Sequence, residues 1–191
     1  MSKGRLEAFS DGVLAIIITI MVLELAPPHG DDLDALSPLI PKFLSYVLSF
    51  VFLAIYWNNH HHLWQVVERV NGSILWANLH LLFWLSLIPF VTGWMGENHF
   101  STIPVALYGT VLWFSGLAYY IMARALMKLH GKDSLFAAAI SNNTKERWSL
   151  YLYTAAIPLT FVSTWIAIIL YVIVAIMWLV PDRRVENKLT E

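Results

Sequence analysis

The chain has 191 residues, of which 58% are hydrophobic and 13% charged, with a formal net charge of −1 and a mean hydropathy of +0.62. A soluble domain carries roughly a quarter charged residues, so this composition excludes an ordinary water-soluble globule, and the near-zero charge excludes electrostatic recruitment to nucleic acid. With no cysteine, disulfides, thiolate metal centres and cysteine nucleophiles are excluded too.

The apolar residues come in blocks long enough to cross a hydrocarbon core of about 30 Å. The expected fold is an all-α integral membrane protein, a single domain over 1–191 with six transmembrane helices. In chain order these are placed at roughly 4–26, 39–69, 72–95, 102–129, 147–162 and 164–180. Arg5, Glu7 and Asp11 sit in a first helix that runs to Leu25 without a small-residue cleavage site, which argues against a secretory signal peptide. Pro27-Pro28 ends that helix, and an aspartate-rich loop from His29 to Ser37 follows. Asn71-Gly72 and Gly96-Glu97-Asn98 read as tight turns around the third helix. Ser134 to Lys145 is a longer, partly apolar connection. Trp148 to Val180 has the length of two short spans or one very long one, and Pro158 with the Ser163-Thr164 break favours two.

Lysine and arginine near span ends set the orientation. With six spans, Lys3, Arg5, Arg69, Arg124, Lys128, Lys132, Lys145, Arg147, Arg183, Arg184 and Lys188 share one side, and Lys42 alone lies opposite. Both termini are therefore expected in the cytoplasm, in a multi-pass protein of the cell membrane surrounded by lipid.

Polar residues cluster at one depth. Ser10 and Asp11 lie about 10 Å into the first helix. The second helix brings Asn58, Asn59, His60, His61 and His62 to a similar level, and the third brings Asn78 and His80. A carboxylate inside a span costs about 2.5–3.5 kcal/mol unless paired or hydrated, so a shared hydrogen-bonded network is expected. Because a hydroxyl is cheaper to leave out than a carboxylate, Asp11 is expected to matter more than Ser10. The three adjacent histidines point to three helix faces at about 100° per residue, the wrong arrangement for chelating one metal. No metal site or other cofactor is expected.

On a helical wheel centred on Ile16, Gly12, Ile20 and Leu23 fall within roughly 40° and Thr19 at the edge. Ser10 and Asp11 point well away, and Glu24 lies just beyond the stripe. Such a stripe suits lipid or a neighbouring helix as well as a pore, and periodicity alone does not choose.

The run Arg5-Leu-Glu-Ala-Phe9-Ser10-Asp11, followed by Ile16 and Thr19, resembles the R-x-x-x-F-S-D motif and following helix of the transmembrane protein 175 family of potassium channels. Tyr56-Trp57, His60-His61, Trp76, Asn78 and Pro89-Phe90 resemble it more loosely. The single motif copy and the length are similar to the bacterial members, which carry six helices per subunit and assemble as tetramers. The resemblance implies a homo-oligomeric, tetrameric potassium channel whose first helices line the pore. It implies a constriction at Ile16, with Ile20 and Leu23 further out, and a part for Thr19 in favouring potassium. Glu24 then stands at the outer mouth. Arg5, Phe9, Ser10 and Asp11 form the motif tying the first helix to its neighbours, with Trp76, Asn78 and His80 as candidate partners of Asp11 and His60 and His61 in the network.

A ring of aliphatic side chains passes ions only when wide enough to hold water, and potassium sheds water more readily than sodium. Selectivity of that origin is modest, and potassium is the permeant, not a cofactor. The alternatives are a secondary transporter, which would need repeated halves around a midplane site, and a histidine-dependent membrane enzyme. Neither a repeat nor a catalytic constellation beyond the histidines is visible, so no enzymatic activity is expected.

Overall fold

The computed structural model describes residues 2–131 and 144–179. Within them the helices are α1 Lys3–Leu23, α2 Ile40–Gln65, α3 Gly72–Ser86, α4 Ile88–Glu97, α5 Thr102–His130, α6 Thr144–Leu159 and α7 Thr164–Leu179, with a 3-10 segment Asp34–Leu39 leading into α2. Four apolar stretches are long enough to cross a membrane: Lys3–Leu23, Asp34–Gln65, Gly72–Glu97 and Thr102–His130. α6 and α7 have 16 residues each, about 24 Å at 1.5 Å per residue.

The stretch 72–97 departs from the expected single helix over 72–95. α3 ends at Ser86 and α4 begins at Ile88. Pro89 is the cause: it has no N–H to give the preceding turn, and its ring crowds that turn. Leu87 between them keeps helical angles, φ −85° and ψ −12°, so the break is a kink and not a loop. Further on, residues 160–163 separate α6 from α7, so two helices form rather than one long one. Most of the connection expected over Ser134 to Lys145, and the basic residues Lys132, Arg183, Arg184 and Lys188, lie outside the described residues.

Starts and turns follow local chemistry. Asn71 caps α3 by accepting the Ile74 N–H at 3.0 Å. Gly96 and Glu97, expected in a turn, are instead the last residues of α4. The turn proper runs from Asn98 to Ser101, with His99 and Phe100 at φ 49° and 58°. Left-handed angles cost non-glycine residues about 1–2 kcal/mol each. Burial of the Phe100 ring and its N–H bond to Met95 O at 3.0 Å hold the chain there.

α1 packs against α2, α3 and α4 through Leu6, Leu14, Ile17 and Met21, all buried. α5 runs behind α3 and α4 and carries α6 on its other side, and α7 closes against α6. Two glycines permit close approaches: a Cβ on Gly109 would collide with the Tyr171 hydroxyl, and one on Gly96 would lie 2.8 Å from the Lys42 Cα. Beside Gly96 an ion pair, Lys42 to Glu97 at 3.1 Å, clips the start of α2 to the end of α4.

Candidate functional site

A buried chain of hydrogen bonds joins α1 to α3 and α2. The Ser10 hydroxyl donates to Leu6 O at 2.9 Å and accepts the Asn78 amide at 2.9 Å. Asn78 Oδ1 lies 2.8 Å from His60 Nε2, and the Trp64 indole N–H approaches the same nitrogen to 2.7 Å. Ser10, Asn78, His60 and Trp64 are each at most 1% exposed. With so little water available, loss of one member leaves its neighbours unsatisfied. A ring nitrogen has one hydrogen or one lone pair, so the tautomer decides whether His60 Nε2 donates to Asn78 or accepts from Trp64, while Nδ1 is buried with no partner among the described residues.

A second set of contacts runs beside this chain along the α1–α2 seam. The Lys3 ammonium donates to Gln65 O at 3.4 Å, Glu7 Oε1 lies 3.7 Å from His61 Nδ1, and the Trp57 indole N–H donates to Asp11 Oδ1 at 3.1 Å. Positions 3, 7 and 11 climb one helix by four while 65, 61 and 57 descend the other by four. Residues four apart share a helix face, so two antiparallel helices meet rung by rung. His61 stacks on Trp57 at 5.8 Å and 16°.

Three assignments from sequence are corrected here. The partner of Asp11 is Trp57 on α2 and not a residue of the third helix; Asn78 reaches Ser10 instead. Trp76 is 74% exposed and stands apart from both sets of contacts. His80 accepts the Trp84 indole N–H at 2.9 Å in a local pair one turn apart, with Trp84 stacked on Phe114 at 4.2 Å. Shared depth was the sequence criterion, but depth leaves helix rotation undetermined, and rotation decides which side chains meet. Arg5 is exposed and makes no hydrogen bond or ion pair among the described residues, and Phe9 is half exposed. Glu7, Trp57, Gln65 and Trp64 went unassigned in sequence; the signal was the four-residue spacing of Lys3, Glu7 and Asp11 against Trp57, His61 and Gln65.

The opposite side of α1 faces away from the bundle. Ile16 is 59% exposed and Leu23 78%, with Gly12, Thr19 and Ile20 exposed on the same side. Ile17 is buried in the core and Ile18 packs partly against it. The Thr19 hydroxyl donates to Ile16 O at 2.9 Å, so its own backbone satisfies it. Glu24 turns back onto α4, where a Cβ on Gly93 would lie 3.6 Å from its carboxylate. The stripe therefore forms one largely apolar face that the described helices leave uncovered.

The chain is similar to known proteins in sequence and in overall fold. The family described as "Endosomal/lysosomal potassium channel TMEM175" matches residues 5–89, the span holding the motif, the buried chain and the seam except its Lys3 rung. A potassium channel of Chryseobacterium sp. is 54% identical over 191 residues, covering 100% of both chains. A potassium channel of Streptomyces collinus is 32% identical over 172 residues, 84% of each. The crystal structure of a lysosomal potassium-selective channel TMEM175 homolog from Chamaesiphon minutus superposes with a TM-score of 0.78 at 28% identity, over 92% of this chain and 95% of that one. Full-length similarity to a curated relative, the matched motif segment and the common fold together make this chain a member of the TMEM175 family.

Proposed function

We propose that the chain is one subunit of a potassium-permeable channel of the cell membrane, non-enzymatic and assembled as a homotetramer. Each subunit crosses the bilayer six times, counting α3 and α4 as one span, with both termini in the cytoplasm. The first helices of four subunits surround the axis. Ile16 forms the narrowest ring, Ile20 and Leu23 stand further out, Glu24 marks the outer mouth, and Thr19 favours potassium. The single observation carrying this reading is the uncovered aliphatic face of α1 on a helix whose other side is fixed by hydrogen bonds. A ring of such side chains excludes water when narrow and admits partly hydrated ions when wider, giving a modest preference for potassium over sodium.

Planar-bilayer recording of the purified protein under potassium–sodium gradients tests this reading. Unitary currents reversing toward the potassium equilibrium potential are expected. Ile16→Asn should raise conductance and move the reversal potential toward the non-selective value. Purified, folded protein that carries no unitary current would refute the channel assignment; selectivity altered by Ile18→Asn but not by Ile16→Asn would place the wrong face of α1 at the axis.

A further inference from the structure

We propose that each subunit binds one weakly hydrated monovalent cation, of the size of potassium or ammonium, in a cavity among α2, α5, α6 and α7, remote from the exposed face of α1. The cavity measures about 40 Å³ and is lined by Tyr56, Asn59, Glu146, Ser149 and Tyr153, with Phe52, Tyr119 and Trp178 among its aromatic walls. That is space for a bare ion and a residual water. Glu146 Oε2 is shielded from solvent and has no hydrogen-bond partner among the described residues. The guanidinium of Arg124, the cation that acts on this carboxylate, lies over the Tyr120 ring at 5.7 Å and makes no ion pair with it.

The nitrogen donors around this space, and the hydroxyls of Ser149 and Tyr119, are directed elsewhere. The Trp178 indole N–H goes to Ser149 Oγ at 2.7 Å, and the Ser149 hydroxyl donates to Lys145 O at 2.8 Å. The Asn59 amide N–H goes to Ile55 O at 2.8 Å, and the Tyr119 hydroxyl reaches Asn59 O at 3.4 Å. What is left uncommitted is oxygen: Glu146 Oε2, the Asn59 side-chain carbonyl, and the Tyr56 and Tyr153 hydroxyls, which have no hydrogen-bond partner among the described residues. A carboxylate, neutral oxygens and aromatic faces together attract positive charge. One carboxylate balances one charge, whereas calcium takes six to eight oxygens, often from several carboxylates. Neutral phenol oxygens replace a loosely held hydration shell more readily than a tight one, which favours potassium or ammonium over sodium.

The test measures thermal unfolding of the purified full-length protein at constant ionic strength in potassium, ammonium, sodium or N-methyl-D-glucamine chloride. The parent midpoint should rise saturably by roughly 5 °C in potassium and in ammonium, and by less in sodium. A rise in only one of the two identifies which ion the site selects. Glu146→Gln, which keeps shape and loses charge, should abolish the rise, and Trp76→Phe, at an exposed residue outside the cavity lining and the α1 face, should leave it intact. Should Glu146→Gln fail to fold, Tyr56→Phe combined with Tyr153→Phe removes two oxygen ligands and should at least halve the response. An undiminished rise in these variants, or no rise in the parent with either potassium or ammonium, overturns the proposal and leaves the cavity to water.

Discussion

The indole N–H of Trp57 donates to the Asp11 carboxylate across 3.1 Å, the last rung of a seam that begins with Lys3 and Gln65. Trp57→Phe removes the donor and keeps a ring for His61 to stack on. It should destabilise the assembled protein about as much as Asp11→Ala, by about 1 kcal/mol. The double variant should cost little more than either single one, because both delete the same bond. Unfolding midpoints of the four proteins measure this, and full additivity would show that the two side chains act independently.

Burial reverses the order expected between Ser10 and Asp11. Asp11 is partly exposed and has one partner, whereas Ser10 is fully buried and receives the Asn78 amide. Ser10→Ala strands that amide where no solvent reaches it and should cost about 1–3 kcal/mol, more than Asp11→Ala. Ser10→Thr keeps the oxygen and should recover part of the loss. Denaturant-induced unfolding of matched preparations provides the comparison.

Neighbouring isoleucines on α1 should separate permeation from stability. Ile17 is 4% exposed, so Ile17→Asn buries an unpaired amide and should cost several kcal/mol by cavity and desolvation effects, about 2–5 kcal/mol together. Ile16→Asn, on the uncovered face, should leave the unfolding midpoint within about 0.5 kcal/mol of the parent while raising conductance. Thr19→Val keeps the shape, removes the bond to Ile16 O and should weaken potassium preference with a smaller change in conductance. Recording and melting the same samples distinguishes the three.

Reporter fusions test the topology. Fusions after Glu191 and within 132–145 should report cytoplasm, and a fusion within Asp31 to Ser37 the outside. An external carboxyl terminus would rule out six spans.

At the turn between α4 and α5, His99 is exposed at φ 49°. Glycine adopts that conformation without steric cost, so His99→Gly should raise stability by about 1 kcal/mol. Phe100, equally strained but buried, should not tolerate the same change, because its ring anchors the turn. A falling midpoint for His99→Gly would mean that the imidazole makes a contact outside the turn.

What could be read from the sequence depended on which coordinate of a helix the residues report. Ile16, Ile20 and Leu23 recur with the helical period, so their common face was legible and the structure leaves that face uncovered. Residue counting also brought Ser10, His60 and Asn78 to one level. It could not pair Asp11 with Trp57, because pairing depends on how each helix is rotated about its own axis, and packing of Leu6, Leu14 and Ile17 sets that for α1. The break at Pro89 is not placed by the expected single helix over 72–95: proline tolerates both a kink and a loop, and only the helical angles of Leu87 choose between them. The Glu146 cavity left no periodic trace, since its walls come from four helices far apart in sequence.

Among the described residues, the hydrogen-bonded contacts of α1 with its neighbours are confined to residues 3 to 11, below the exposed stripe. Beyond Asp11, the helix meets the bundle through Leu14, Ile17 and Met21, apolar contacts that fix distance but tolerate sliding. Mechanically α1 is a cantilever, clamped at its amino-terminal end and laterally supported along its length. A small rotation at the clamp would be magnified toward Leu23, so changes at Glu7 or His61 could alter the spacing of side chains more than two turns away without touching them.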